Sequence, residues 1–154
     1  ASSCCWNKPW KNPAARCSGL LTRYLAQPGD AYWHRTLATV SLCLTGGELA
    51  NHAVRREFYI RDDEGDANLD LLTLVRDAVD SVDALLAEGH KVLVHCHGGR
   101  SRTGLILKAW AMRQYDFDDL EADAWITARW PHYATWNKTF SRFLRDEWNV
   151  NRRR

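Results

Sequence analysis

Between residues 69 and 88 apolar side chains recur every three or four positions. Leu72, Val75, Val79, Val82 and Leu86 share one helical face, and Arg76, Asp77, Asp80 and Asp83 occupy the other. Gly89 follows where the C-terminal cap of such a helix belongs. Lys91-Val-Leu-Val-His95 is then a continuous apolar run, the pattern of a strand buried in a parallel sheet. Residues 37–44 read as an earlier buried strand that stops at Thr45-Gly46-Gly47. Phe58-Tyr59-Ile60 predicts a second short strand running into the acidic loop Arg61-Asp-Asp-Glu-Gly-Asp66. Helical patterns return over 105–113, 118–130 and 136–148, with Pro131 separating the last two. The order strand, helix, strand, loop, helix predicts an α/β fold, a central and mainly parallel sheet flanked by helices. Residues 1–19 show no period, and 1–35 are expected to form an N-terminal arm packed on the body. A single domain is expected over 36–150 and a solvated basic tail over 151–154, ending in three arginines.

Composition adds mostly exclusions. The 154 residues suit one domain, and 45% apolar with 26% charged residues is ordinary for a globular chain. A net charge of +2 is too mild to announce nucleic-acid binding. No run approaches the ~18–20 apolar residues of a membrane span, nor the ~7–15-residue apolar core of a secretory signal. The chain opens on Ala-Ser-Ser-Cys-Cys without Met, as a processed, trimmed or excised chain would. Five cysteines, an odd number, favour a reducing compartment with free thiols. A soluble, cytoplasmic monomer with no nucleic-acid or membrane partner is therefore expected.

One segment carries chemistry: His95-Cys96-His97-Gly98-Gly99-Arg100-Ser101-Arg102-Thr103-Gly104. A strand delivers Cys96 to the carboxyl edge of the sheet, where open α/β folds bind ligands. Gly98 and Gly99 let the backbone turn so that successive N–H groups face one anion, and the helix that follows adds its N-terminal dipole. Arg102 can reach back and hold two oxygens of a bound oxyanion. His97, Gly98, Gly99, Arg100 and Ser101 complete a bowl suited to phosphate. Whatever binds an anion there also stabilises a Cys96 thiolate, a good nucleophile. Thr103 is placed to donate a hydrogen bond to that sulfur, and His95 is expected to order the loop through hydrogen bonds rather than to act as a base.

These residues resemble the H-C-x5-R-[ST] signature loop of the cysteine-based protein tyrosine phosphatases, in the compact dual-specificity branch. Val40-Ser-Leu-Cys-Leu44 resembles that branch's early core strand. The Asp62-Asp63 loop with Asn68-Leu69 resembles its acid loop, and Arg129-Trp-Pro131 with Trp136-Asn137 and Phe140 its C-terminal pattern. The resemblance covers about residues 36–148, which makes 36–150 a catalytic domain. It implies hydrolysis of phosphoserine, phosphothreonine or phosphotyrosine in a phosphorylated protein, or of a small phosphate ester, through a cysteinyl-phosphate and without metal or cofactor.

The resemblance also implies an aspartic acid that protonates the leaving oxygen. Asp63 is favoured, as the second of a pair at a suitable distance from Asn68-Leu69; strand register alone favours Asp62, and Asp66 is a third choice. Asn137 is implied as a brace for the signature loop. Basic His97 and Arg100 depart from the plain protein-phosphatase pattern and resemble the phosphoinositide-directed branch, which leaves lipid or other polyanionic substrates as the alternative. A non-catalytic phosphate-binding module is the alternative of a different class. Cys43 ends the strand beside that of Cys96 and is a candidate partner for a reversible disulfide. Trp110, Trp125 and Trp148 are expected in helix packing.

Overall fold

The computed structural model describes residues 3–6, 37–44, 53–65, 67–130, 133 and 136–152. Among the described residues four strands form one sheet: β1 (Ser3–Trp6), β2 (Leu37–Ser41), β3 (Arg55–Glu57) and β4 (Lys91–His95), in the order β1-β4-β2-β3. β2 lies parallel to both β3 and β4, with Ser41 opposite His95, so the sheet is mainly parallel, as the pattern predicts. β1 pairs antiparallel on the free side of β4, with Ser3 opposite His95. Residues 3–6 are thus a strand although they carry no period, because an edge partner four residues long needs only backbone pairing. The rest of the expected arm lies outside the described residues.

The second parallel strand sits three residues earlier than the apolar triplet suggests, at Arg55–Glu57. The triplet still lies along the sheet: Phe58 N–H donates to Ser41 O (2.8 Å) and Ile60 N–H to Leu42 O (3.4 Å). Ile60 is fully buried while Tyr59 and Arg61 are exposed, so the extended chain alternates inward and outward here.

α1 (Leu71–Ala87) opens on Asp70, whose carboxylate accepts from Thr73 N–H at 2.9 Å, and ends before Gly89 at φ 86°. Val75, Ala78, Val79, Val82, Leu85 and Leu86 are its buried face. α2 (Ser101–Tyr115) leaves the signature loop and is buried along most of its length. α1 and α2 pack on each other and on β4, burying Val92, Leu93 and Val94 completely. α3 (Asp119–Arg129) starts with a capping box between Asp118 and Glu121. α4 (Lys138–Phe143) continues through a π-helical turn, Leu144–Trp148, into a last short helix, Asn149–Asn151.

Trp110 and Trp148 are buried, each with a hydrogen bond from its indole N–H, to Asp83 and to the Ala109 carbonyl. Trp125 is half-buried against Trp110, Tyr115 and the Arg129 guanidinium. Lys108 is buried on α2, where Asp119 (2.6 Å) and Asp123 (3.3 Å) offset the cost of hiding its charge. Beside them lies the ring of Tyr133, so close to α2 that a Cβ on Gly104 would collide with it.

Arg152 is not part of a solvated tail. Its guanidinium donates to the Met112 carbonyl (2.7 Å) and the Phe117 carbonyl, and pairs with Asp116 at 3.0 Å. Asp116 ends α2 in the left-handed region (φ 59°), which leaves terminal carbonyls for a cation to satisfy. Arg153 and Arg154 lie outside the described residues.

Candidate active site

β4 ends at His95, and the next residue, Cys96, is only 4% exposed. His95 is buried, and a hydrogen bond of 2.6 Å joins its Nε2 to Ser41 Oγ on β2. Burial, reinforced by the charge of Arg55, pushes the imidazole down to about 4, so it is neutral at physiological pH. Together with the Leu42 N–H to His95 O bond (2.9 Å), this ties the end of β4 to β2 just before the nucleophile position.

From Cys96 the chain turns through His97, Gly98 and Arg100, all exposed, and buried Gly99. Only Gly99 takes a left-handed backbone, φ 63°, so it alone of the two glycines needs to be glycine for conformation. Around Gly98 an added Cβ would meet open space. α2 begins at Ser101 with no side-chain cap on its first turn, which leaves its N–H groups and its positive dipole end for a ligand. Thr103, fully buried, donates from Oγ1 to Cys96 Sγ at 3.2 Å.

Arg102 folds back from the first turn of α2. One Nη donates to the Ile60 carbonyl at 3.3 Å, and Nε stands 3.7 Å from Asp62 Oδ2. Nε is buried and has no hydrogen-bond partner among the described residues. A buried guanidinium donor without an acceptor is costly, and an incoming oxyanion removes that cost.

The acid loop places its two candidate aspartates differently. Asp63, the favoured acid, points away from the bowl: its carboxylate pairs with the exposed Arg61 (3.0 Å), and its side chain is 55% exposed. Asp62, the alternative, faces inward and accepts from Ser101 Oγ (2.8 Å) and Asn137 Nδ2 (3.0 Å) on the same oxygen, Oδ1. The reason is the alternation of extended chain: Ile60 is buried, so Asp62 shares its face and Asp63 takes the opposite one. Asp66 lies outside the described residues.

Asn137 therefore braces the acid loop directly and the signature loop only through Asp62. Its Oδ1 meanwhile accepts from Phe140 N–H (3.1 Å) and caps α4. Asn68 closes the acid loop by accepting from Arg61 N–H (2.8 Å) and donating to Arg61 O (3.0 Å), and Gly65 N–H donates to Thr139 Oγ1 (2.9 Å). Sequence reading missed these two braces and the Ser41 partner of His95. An Asn seven residues after the start of an acidic loop was the one available signal.

Cys43 is buried beside this site. Its thiol is pushed up, chiefly by burial and further by Cys96, while Arg102 acts in the opposite direction. Cys43 and Cys96 are both free thiols.

A family model, the dual specificity phosphatase catalytic domain, matches residues 50–146. Dual specificity protein phosphatase PHS1 of Arabidopsis thaliana is 33% identical over 111 residues, which is 67% of this chain and 11% of that protein. Dual specificity protein phosphatase 5 of Rattus norvegicus is 38% identical over 60 residues, 39% of this chain and 16% of that protein. The chain thus spans between about a tenth and a sixth of the length of these curated relatives. Among solved structures, human DUSP28 superposes with a TM-score of 0.62 at 20% identity, covering 79% of this chain and 82% of that one. The Yvh1 phosphatase domain from Chaetomium thermophilum gives 0.59 at 23% identity, covering 75% and 79%. These two show the same fold. The chain belongs to the dual specificity phosphatase catalytic-domain family, within the cysteine-based protein tyrosine phosphatases.

Proposed function

We propose that this chain is a cysteine-dependent phosphoric monoester hydrolase acting on phosphoproteins. The observation that carries the reading is one convergence. A buried Cys96 accepts a hydrogen bond from Thr103 at the uncapped start of α2, and on the same turn Arg102 Nε, ion-paired with Asp62 at 3.7 Å, has no hydrogen-bond acceptor.

Substrate phosphate takes the loop N–H groups and Arg102 as donors, and Arg102 shifts its charge from Asp62 to the phosphoryl oxygens. Cys96 thiolate attacks phosphorus; the S–P bond forms as the bond to the leaving oxygen breaks. Asp62 supplies the proton to that oxygen from Oδ2, the oxygen that Ser101 and Asn137 leave open. In the second step Asp62 takes a proton from water, whose oxygen attacks phosphorus. The S–P bond breaks, inorganic phosphate leaves, and Thr103 stabilises the departing thiolate. His97, Gly98, Gly99, Arg100 and Ser101 shape the bowl, and neutral His95 holds its base. None of these steps calls on a metal or cofactor.

Exposed His97 and Arg100 at the mouth support a second reading, a phosphoinositide or other polyanionic ester. The test is phosphate release from an aryl phosphate, a phosphotyrosine peptide, a phosphothreonine peptide and a soluble phosphoinositide, with wild type and Cys96→Ser side by side. Turnover lost in Cys96→Ser supports the mechanism, and the ranking of esters decides between the two substrate classes. Equal background rates for both proteins on every ester refute the hydrolase and leave a phosphate-binding module.

A further inference from the structure

Beyond the bowl, Lys138, Arg142 and Arg145 fall at i, i+4 and i+7 along α4 and the π-helical turn, one side of a continuous helix. All three are exposed. They line a cleft of about 510 Å³ whose remaining wall includes Glu64, Gly65 and Thr139. Arg145 is shared with its neighbour Asp146 at 2.9 Å. Lys138 and Arg142 have no ion-pair partner among the described residues. With Arg145 offset by Asp146, Lys138 and Arg142 still outnumber the single lining carboxylate of Glu64, so the cleft carries a modest positive excess.

The cleft adjoins the proposed catalytic acid. Gly65 N–H donates to Thr139 across the cleft wall, and Asn137, immediately before Lys138, donates to Asp62. Gly65 is three residues from Asp62, so at ~3.6 Å per residue the two are at most about 11 Å apart. Next to it, a second cleft of about 320 Å³ shares Gly65, Thr139 and Arg142 and runs past the fully exposed Leu69 to Asp70, Asp146 and Glu147. A flat anionic membrane would meet those carboxylates and be repelled, whereas a peptide of mixed composition can place acidic groups on the cations alone.

We propose that this cleft docks an acidic stretch of the phosphoprotein substrate, roughly three to six residues from the residue being dephosphorylated. The proposal deepens the phosphatase reading and rests on it. Lys138 and Arg142 act on binding of the flanking segment and stay clear of the reacting atoms.

The test uses the full chain with Cys96→Ser, which retains the bowl but does not turn over. Fluorescence anisotropy compares two phosphotyrosine peptides, one with a run of Glu three to six residues to either side and one with Ala there. The Glu peptide is expected to bind roughly tenfold tighter, the advantage shrinking as salt is raised. In Lys138→Ala/Arg142→Ala on the same background, with folding verified by circular dichroism, the advantage is expected to vanish. Equal affinity for both peptides, or an advantage that survives the double substitution, overturns the proposal. So does binding to vesicles containing an anionic phosphoinositide that the double substitution abolishes, in the absence of any peptide preference, which would make the cleft a lipid site. Turnover of the Ala peptide by wild type reports separately on the phosphatase reading. Its failure removes the enzyme, while the anisotropy comparison still measures the cleft.

Discussion

Acid should destabilise this protein through one buried imidazole. His95 is 2% exposed, its only side-chain hydrogen bond among the described residues is to Ser41, and Arg55 adds repulsion when His95 is charged. Its value falls from 6.5 to about 4 in the folded chain. The folded state thus disfavours the proton that the unfolded chain accepts. The resulting stability is fully present above pH 6.5 and is lost as pH falls from 6.5 towards 4. A depression of this size corresponds to about 3 kcal/mol, a large part of a typical domain's ~5–15 kcal/mol. Urea unfolding of wild type and His95→Gln from pH 4.5 to 8 isolates the effect, because other titrating groups cancel in the difference. Glutamine offers Ser41 a polar partner but does not titrate. The stability of wild type relative to His95→Gln is expected to drop by about 2 to 3 kcal/mol across that range, with a slope no steeper than about 1.4 kcal/mol per pH unit. Parallel stability curves would refute the argument and mean that protonated His95 finds compensation. Activity should be lost over the same interval, since His95 immediately precedes Cys96 and its link to β2 fixes where the loop starts.

Four further outcomes follow from particular contacts. Asp62→Asn is expected to lower kcat by about 10²- to 10⁴-fold on a poor leaving group while Asp63→Asn stays within a few-fold of wild type; the reverse ranking assigns the acid to Asp63. Gly99→Ala forces a side chain into the left-handed region at a cost of about 1–2 kcal/mol in urea unfolding, whereas Gly98→Ala is neutral to stability; equal effects would contradict the loop conformation. Arg152→Ala leaves the Met112 and Phe117 carbonyls without their cation and should destabilise by about 1–3 kcal/mol, against almost nothing for a solvated arginine. Peroxide converts the Cys96 thiolate to a sulfenic acid, and attack by Cys43 with loss of water yields a disulfide that a thiol reduces. Wild type should then recover with dithiothreitol, whereas Cys43→Ser should be over-oxidised irreversibly; equal recovery would remove Cys43 from that role.

What the sequence by itself determined is what local spacing can encode. The α1 face, the apolar run of β4 and the turn into α2 depend on neighbours a few positions away, and each stands where its pattern puts it. The Cys96, Arg102 and Thr103 cluster belongs to the same class, because one loop and one helical turn bring all three together. Tertiary structure alone decided which aspartate faces the bowl. That choice depends on the register of residues 58–63 against β2, which buries Ile60 and so turns Asp62 inward and Asp63 outward. Counting residues back from Cys96 cannot detect that register. It likewise decided that Ser41, 54 residues away, holds His95, that Arg152 closes the end of α2, and that Ser3–Trp6 becomes a strand. Each of these rests on a partner distant in sequence, and a polar residue's own neighbours carry no record of which distant donor or acceptor will satisfy it.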